Sequence, residues 1–192
     1  MLIHLAIPDC AVRSWQPEDA AAIVRHADDR RVWLNLRDRF PHPYTPADAD
    51  RWICKAAAAR PETEFAIAVG AEAVGGIGLE LQTDVCRGTA EIGYWLGAAC
   101  WGRGIATEAV RAVTAYGFAA LDLRRIFAGV FSWNPASRRV LEKAGYSLEG
   151  RLQQAVIKDD RVLDSFLYAI VRDGGGEDPR AGGAGFLHHR RP

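Results

Sequence analysis

Between residues 89 and 121 the chain changes its hydrophobic period at a pair of glycines. Thr89 to Leu96 reads as a strand, and Gly102-Arg103-Gly104 follows shortly after it. Ile105, Ala109, Val113, Tyr116 and Ala120 then recur at helical spacing, with Thr107, Glu108, Arg111 and Thr114 largely elsewhere on the wheel, to about Leu121. A helix entered through glycines offers free backbone N–H groups and lets an anion approach closely. The segment therefore calls for a sheet, a helix leaving one strand, and a phosphate-bearing ligand at the junction.

The remaining elements follow from local signals. Ala11 to Trp15 alternates and precedes Gln16-Pro17-Glu18-Asp19, a helix start that should carry a helix to about His26. Thr45-Pro46-Ala47-Asp48 is a second start, and its helix should run to about Ala59. Strands are expected over Glu64 to Val69 and Ala73 to Leu81, joined as a hairpin at Gly70-Ala71-Glu72. Arg125 to Val130 reads as a strand, Asn134 to Ala144 as a helix stopped by Gly145, and Leu163 to Val171 as a last strand. Asp159-Asp160 reads as a hairpin turn. A run of strands followed by alternation with helices implies an α/β (α+β) domain with a mixed sheet, not a doubly wound one. Val32 to Tyr44 is aromatic and proline-rich without clean periodicity, and reads either as the lining of a binding site or as a lid on the core.

Length and composition fit one domain over residues 1–172. The glycine-rich residues 173–192 should form a flexible tail. Lys+Arg and Asp+Glu number 24 each, so the chain lacks the broad positive field of a nucleic-acid binder. No apolar run reaches a membrane span, and residues 1–10 lack the pattern of a secretory signal, so a cytoplasmic protein is expected, as monomer or homodimer. Cys10, Cys54, Cys86 and Cys100 are scattered without a C-x-x-C pair. Neither a zinc site nor a disulfide framework is indicated, and reduced thiols packed as small hydrophobes are expected.

Three ligands compete for the glycine pair. An ATP or GTP loop requires a lysine followed by Ser or Thr, which is absent here. A dinucleotide fingerprint requires a third glycine where Thr107 stands, and the acid some twenty residues on, Asp122, falls at the helix end and not after a second strand. Coenzyme A is the third. Trp101-Gly102-Arg103-Gly104-Ile105-Ala106 resembles the R/Q-x-x-G-x-G/A motif of the GCN5-related N-acetyltransferases. Trp101 replaces the usual Arg or Gln, and "YWL…WGRGIATEA" is similar to the branch that acetylates N-termini of ribosomal proteins. "NPASRRVLEKAGY", Asn134 to Tyr146, resembles a second block of the same branch. The resemblance covers roughly residues 10 to 172.

The resemblance implies a mostly antiparallel central sheet flanked by helices, in which strand Thr89 to Leu96 splays from strand Arg125 to Val130 to form an acyl-CoA cleft. Acetyl-CoA is the implied cosubstrate, with no metal. Its pantetheine arm would pair with backbone near Tyr94, Trp95 and Leu96. Its pyrophosphate would rest on the N–H groups of Gly102, Arg103, Gly104, Ile105, Ala106 and Thr107, with the Arg103 side chain adding charge. Asn134 would touch the cofactor besides capping its helix.

Acetyl transfer to an amine requires a neutral amine, a polarised thioester carbonyl and a stabilised thiolate. Glu91, in the strand bordering the cleft and on the same face as Trp95, is the expected base, acting through water; a solvated strand glutamate is the alternative. Many family members carry a tyrosine general acid at the Leu141 position, and this sequence lacks it. Ser137, one turn into its helix, becomes the expected partner of the sulfur, through a hydrogen bond more than a full proton. His42 could face the acceptor, though a loop histidine is readily solvated or structural. Asp164, Arg151 and Tyr168 could line the acceptor pocket. The reading is an N-acetyltransferase acting on a protein N-terminal amine or a small amine by direct attack in a ternary complex. A non-catalytic acyl-CoA-binding regulatory module is the alternative.

Overall fold

The structure is a computed structural model and describes residues 1–172; the expected tail, 173–192, lies outside the described residues. Eight strands form one sheet: β1 Leu2–His4, β2 Cys10–Ser14, β3 Glu64–Val69, β4 Glu72–Leu81, β5 Thr89–Leu96, β6 Arg125–Phe131, β7 Ser147–Lys158 and β8 Arg161–Val171. Their spatial order is β1-β2-β3-β4-β5-β6-β8-β7, and every pairing is antiparallel except β5 with β6. The mixed sheet expected from the element order is what forms, and it is mostly antiparallel as the resemblance implies. The helices are α1 Ala20–Ala27, α2 Arg30–Trp33, α3 Pro46–Ala58, α4 Ile105–Ala120 and α5 Pro135–Lys143.

Local chemistry accounts for the helix ends. Thr45 Oγ1 accepts from the Asp48 amide at 3.3 Å while the Thr45 amide donates to Asp48 Oδ2 at 2.9 Å, so two orphan donors are satisfied reciprocally. Asn134 Oδ1 accepts from the Ser137 amide at 3.0 Å, with Pro135 at the first helical position. The start at Pro17 differs from expectation. A 3-10 turn, Pro17–Asp19, precedes α1, and Asp19 is buried because Arg13 grips it through two 2.7 Å bonds. Asp19 Oδ2 also accepts from the Gln16 amide at 2.9 Å, so the acid serves the helix start as expected while its bidentate pair with Arg13 ties that start to β2.

Two cores cover the sheet. Ile105, Ala109, Val110 and Val113 of α4 pack on Phe65, Ile67, Ile77, Leu79, Ile92 and Ile126. Burying each larger aliphatic side chain contributes about 1.5–3 kcal/mol. Thr107 and Thr114 are buried in this helix too, against the helical-wheel reading, and Thr114 Oγ1 meets the Tyr146 hydroxyl at 2.7 Å. On the other face α1 and α3 pack Ile23, Ala27, Ala49 and Ile53 around Trp15, Tyr44 and Ala66. Cys10 and Cys100 are core residues as expected, but Cys54 and Cys86 are exposed, on an outer helix face and in a surface turn; all four thiols are free.

Strands β1 and β7 and the short helix α2 were not legible in the sequence. The β7–β8 hairpin turns at Asp159 and Asp160, whose φ values of 51° and 58° match the primed turn that aspartate tolerates.

Candidate active site

Strands β5 and β6 pair over only three positions, Thr89 with Arg125, Ala90 with Ile126 and Glu91 with Phe127. Beyond Glu91 they part. The Gly97 amide donates to Val74 O of β4 at 2.8 Å. Main-chain groups alternate in direction along a strand, so those of Trp95 also face β4 while those of Ile92, Tyr94 and Leu96 face the gap. Leu96 O is already in use: it accepts from Trp101 Nε1 at 2.7 Å. Trp101 thus ties the glycine turn back to the end of β5.

After Leu96 the chain turns through Gly102 and Gly104, with φ of +77° and +80°, into α4. Gly104 is the N-cap and offers no side chain, so the amides of Ile105, Ala106 and Thr107 lack intrahelical partners. A Cβ at Gly102 would meet nothing within 4 Å, and Arg103 is exposed beside it. Unpaired strand edges leading to a concave set of amides suit an extended, amide-bearing arm ending in a pyrophosphate. The residues present therefore fit coenzyme A.

The two faces of the gap carry different chemistry. On the α4 side, Tyr94 reaches across to α5, where its hydroxyl lies 2.8 Å from Ser137 Oγ and 3.3 Å from Ser137 O. Burial pushes the Tyr94 phenol well above its usual range, against the lowering by its Ser137 bond, so it stays neutral. Asn134 sits at the start of the same helix turn.

On the opposite face Glu91 stands at the apex where the strands separate. A Cβ placed on Gly129 of β6 would lie 3.9 Å from Glu91 Oε1, so the carboxylate overhangs the neighbouring strand. Cross-strand register puts Glu80 of β4 directly beside Glu91, with Glu64 of β3 diagonal to Glu80. Burial pushes the Glu64 carboxyl up to about 7, Lys55 and Arg39 pulling it down and Glu80 pushing it up. A Cβ at Gly78 would overlap the Glu64 carboxylate, so only glycine leaves that side chain its place.

The segment between α2 and α3 crosses this face as a strap. Arg37 is paired with Glu91, Arg39 with Glu80 at 2.8 Å, and Phe40 packs edge-on against Trp95 at 5.7 Å between centroids. At its other side Asp38 Oδ1 accepts from Lys158 Nζ of β7 at 2.7 Å, and that ammonium, 1% exposed, lies 3.5 Å from the Trp33 ring centroid. Arg30 binds Asp159 at the hairpin tip at 2.7 Å. Of the two readings open for residues 32–44, the core-covering lid is what Tyr44 and Phe40 form, while Arg37 and Arg39 pair with Glu91 and Glu80.

The structure thus brings Glu91, Tyr94 and Ser137 to the gap and the glycine turn to its end, while Asn134 Oδ1 caps α5 by accepting from the Ser137 amide. Other candidates lie elsewhere. His42 is exposed, stacked on Trp33 at 5.5 Å and 3.4 Å from Asp28. Arg151 donates to Asp164 at 2.6 Å, and Tyr168 is buried, donating to Glu142 at 2.7 Å, so these three tie β7, β8 and α5 together. Arg37, Arg39, Glu64 and Glu80 carry no local motif; only register and strap place them at the site. Among the described residues no group of three or more His, Cys, Asp or Glu could hold a metal ion, and no helix is long and apolar enough to cross a membrane.

A family model described as an acetyltransferase (GNAT) domain matches residues 10–147. The chain belongs to this family. Acetyl-CoA-dependent N-acetyl transfer is the family's activity, with acetyl-CoA as cosubstrate and coenzyme A as product. Among the relatives, the uncharacterised N-acetyltransferase YoaA of Bacillus subtilis is 41% identical over 101 residues, 53% of this chain and only 56% of that protein. The uncharacterised N-acetyltransferase p20 of Bacillus licheniformis is 30% identical over 84% of this chain and 92% of its own. The ribosomal-protein-serine acetyltransferase of Escherichia coli is 39% identical over 85 residues, 44% of this chain and 48% of that one. In three dimensions the chain is similar to RimJ of Mycobacterium smegmatis in complex with CoA-disulfide, with a TM-score of 0.77, 27% identity, and coverage of 88% and 86% of the two chains.

Proposed function

We propose that this GNAT domain acetylates the N-terminal amine of a protein by direct attack in a ternary complex, in the cytoplasm. The observation that carries the mechanism is the parting of β5 and β6 immediately beyond Glu91, with a carboxylate on one face of the gap and paired hydroxyls on the other. The acceptor class is supported by the ribosomal-protein acetyltransferase among the relatives and by the Trp101 and Asn134 to Tyr146 blocks.

Acetyl-CoA supplies the thioester. An amine arriving as an ammonium enters the Glu80 and Glu91 face, where carboxylate charge favours it, and displaces the Arg37 guanidinium from Glu91. Glu91 takes its first proton, through water, which frees the nitrogen lone pair to form the C–N bond. The C–S bond breaks with its electron pair going to sulfur, and the second nitrogen proton ends on that sulfur. Ser137 Oγ donates to the sulfur as the charge develops. Main-chain groups of Ile92 and Tyr94 align the donor and hold its carbonyl.

A regulatory module that binds acyl-CoA without turnover would need the cradle but not Glu91 or Ser137. Thiol release from acetyl-CoA, measured against N-terminal peptides, polyamines and aminoglycosides, separates the readings. Turnover with peptides alone supports the proposal, turnover confined to small amines overturns the acceptor class, and tight coenzyme A binding without turnover favours the module.

A further inference from the structure

The acceptor face, the strap and the two outer strands all bear on where the amine enters, whereas the leaving-group side contains a contact that the transfer reaction does not by itself require. Tyr94 Oη and Ser137 Oγ lie 2.8 Å apart across the gap, one on β5 and the other in the first turn of α5. The inference rests on the reading that Ser137 faces the sulfur. We propose that Tyr94 is a positioning residue that donates to Ser137 Oγ and so leaves the serine proton directed at the departing sulfur.

A serine hydroxyl has one proton and two lone pairs. If Ser137 donated to Tyr94, its proton would be spent within the protein and the sulfur would face lone pairs only. With Tyr94 donating to the nearer Oγ at 2.8 Å and not to the Ser137 carbonyl at 3.3 Å, the phenol proton occupies a serine lone pair and the serine proton is left free for the gap. Charge developing on sulfur favours this second arrangement, because donors in a chain polarise one another in the same direction. The phenol is also the more acidic of the two hydroxyls and hence the better donor. Its burial disfavours a phenolate, so the chain ends as two hydrogen bonds with Tyr94 and Ser137 both still protonated. The proton that sulfur finally takes comes from the acylated nitrogen, and nothing is consumed at the tyrosine.

The arrangement also answers how the site works without a tyrosine at position 141. Leu141 is fully buried in the α4 core, so a phenol is not missing from the gap; it enters from the opposite strand and acts through Ser137.

The test needs no acceptor amine. Coenzyme A is bound to the full chain and its thiol titrated by thiolate ultraviolet absorption in wild type, Tyr94→Phe, Ser137→Ala and the double variant, with coenzyme affinity and melting temperature measured alongside. A single hydrogen bond to a charge corresponds to roughly one pH unit. Ser137→Ala should raise the bound thiol pKa by about one unit, Tyr94→Phe by about half a unit, and the double variant by no more than Ser137→Ala. Kd for coenzyme A should change less than threefold in Tyr94→Phe. No rise in Ser137→Ala refutes the leaving-group role of the serine itself. A rise in Ser137→Ala with none in Tyr94→Phe overturns the tyrosine proposal alone, as does a double variant whose shift is the sum of the two. A purely structural tie would lower the melting temperature and weaken coenzyme binding without moving the thiol titration.

Discussion

Replacing Gly104 by alanine isolates what the backbone contributes to the cradle. A Cβ at this position would come no closer than 3.6 Å to any neighbour, the Ile7 Cδ1 methyl, which is ordinary contact. Sterics with other residues therefore add nothing, and the whole effect comes from holding an L-residue at φ +80°. That conformation costs about 1–2 kcal/mol. For a chain of this size each kcal/mol moves the melting temperature by about 2–4 °C, so Gly104→Ala should melt roughly 2–8 °C lower than wild type. Gly104→Asn should lose less, because asparagine tolerates the left-handed region. If alanine relaxes the strain by rotating φ, the amides of Ile105 to Thr107 swing away from their common focus. A tenfold loss of coenzyme A affinity would then remove about 1.4 kcal/mol of the stabilisation seen at saturating ligand. Scanning calorimetry with and without coenzyme A reads both quantities. Equal melting of Gly104→Ala and wild type, or a greater loss for asparagine than for alanine, would refute the argument.

Glu91→Gln and Ser137→Ala should each lower kcat by tenfold or more at unchanged Kd for coenzyme A, and unchanged turnover in both removes them from the mechanism. Glu64 has a folded-state pKa near 7, above its ordinary value, so the folded protein binds the proton more tightly than the unfolded chain. Stability therefore falls as pH rises through about 4.5 to 7, and Glu64→Gln should gain on the order of 1–3 kcal/mol relative to wild type at pH 8 and little at pH 4; equal effects at both pH values contradict the assignment. Asn134→Ala removes the cap of α5 and should cost about 1 kcal/mol by urea denaturation, with kcat falling because Ser137 sits in the capped turn. Asp38→Asn takes the counter-charge from buried Lys158 and should loosen the strap, raising KM for the acceptor while leaving coenzyme affinity unchanged; an unaltered acceptor KM would place the strap outside acceptor binding.

What the sequence disclosed was local in origin. Thr45, Asn134 and Gly104 act on amides within a few residues of themselves, and the hydrophobic period of α4 is intrinsic to one helix. The parting of β5 and β6 was expected only through the family resemblance. Strand β7 was missed because Ser147–Lys158 is mostly exposed and its apolar residues do not alternate cleanly with polar ones; it is a strand because β8 supplies its partners, across two register irregularities. Arg37, Glu64 and Glu80 were missed for a related reason. Their meeting depends on cross-strand register and on a strap whose path is fixed by Lys158, 120 residues from Asp38 in sequence. Trp101 read as a mark of the subfamily, yet its hydrogen bond to Leu96 O needs the turn between them to be folded. Cys54 and Cys86 show the limit of composition, since their type suggests burial while their neighbours leave them at the surface.

The brief β5–β6 pairing has an evolutionary consequence. Three residue pairs join a five-stranded block, which with α4 carries the entire amide cradle for the pyrophosphate, to a three-stranded block whose hairpin anchors the strap. Drift in the smaller block can reshape what reaches the carboxylates while the donor cradle keeps its geometry. One ancestral donor site can thereby serve lineages that diverge only in their acceptors.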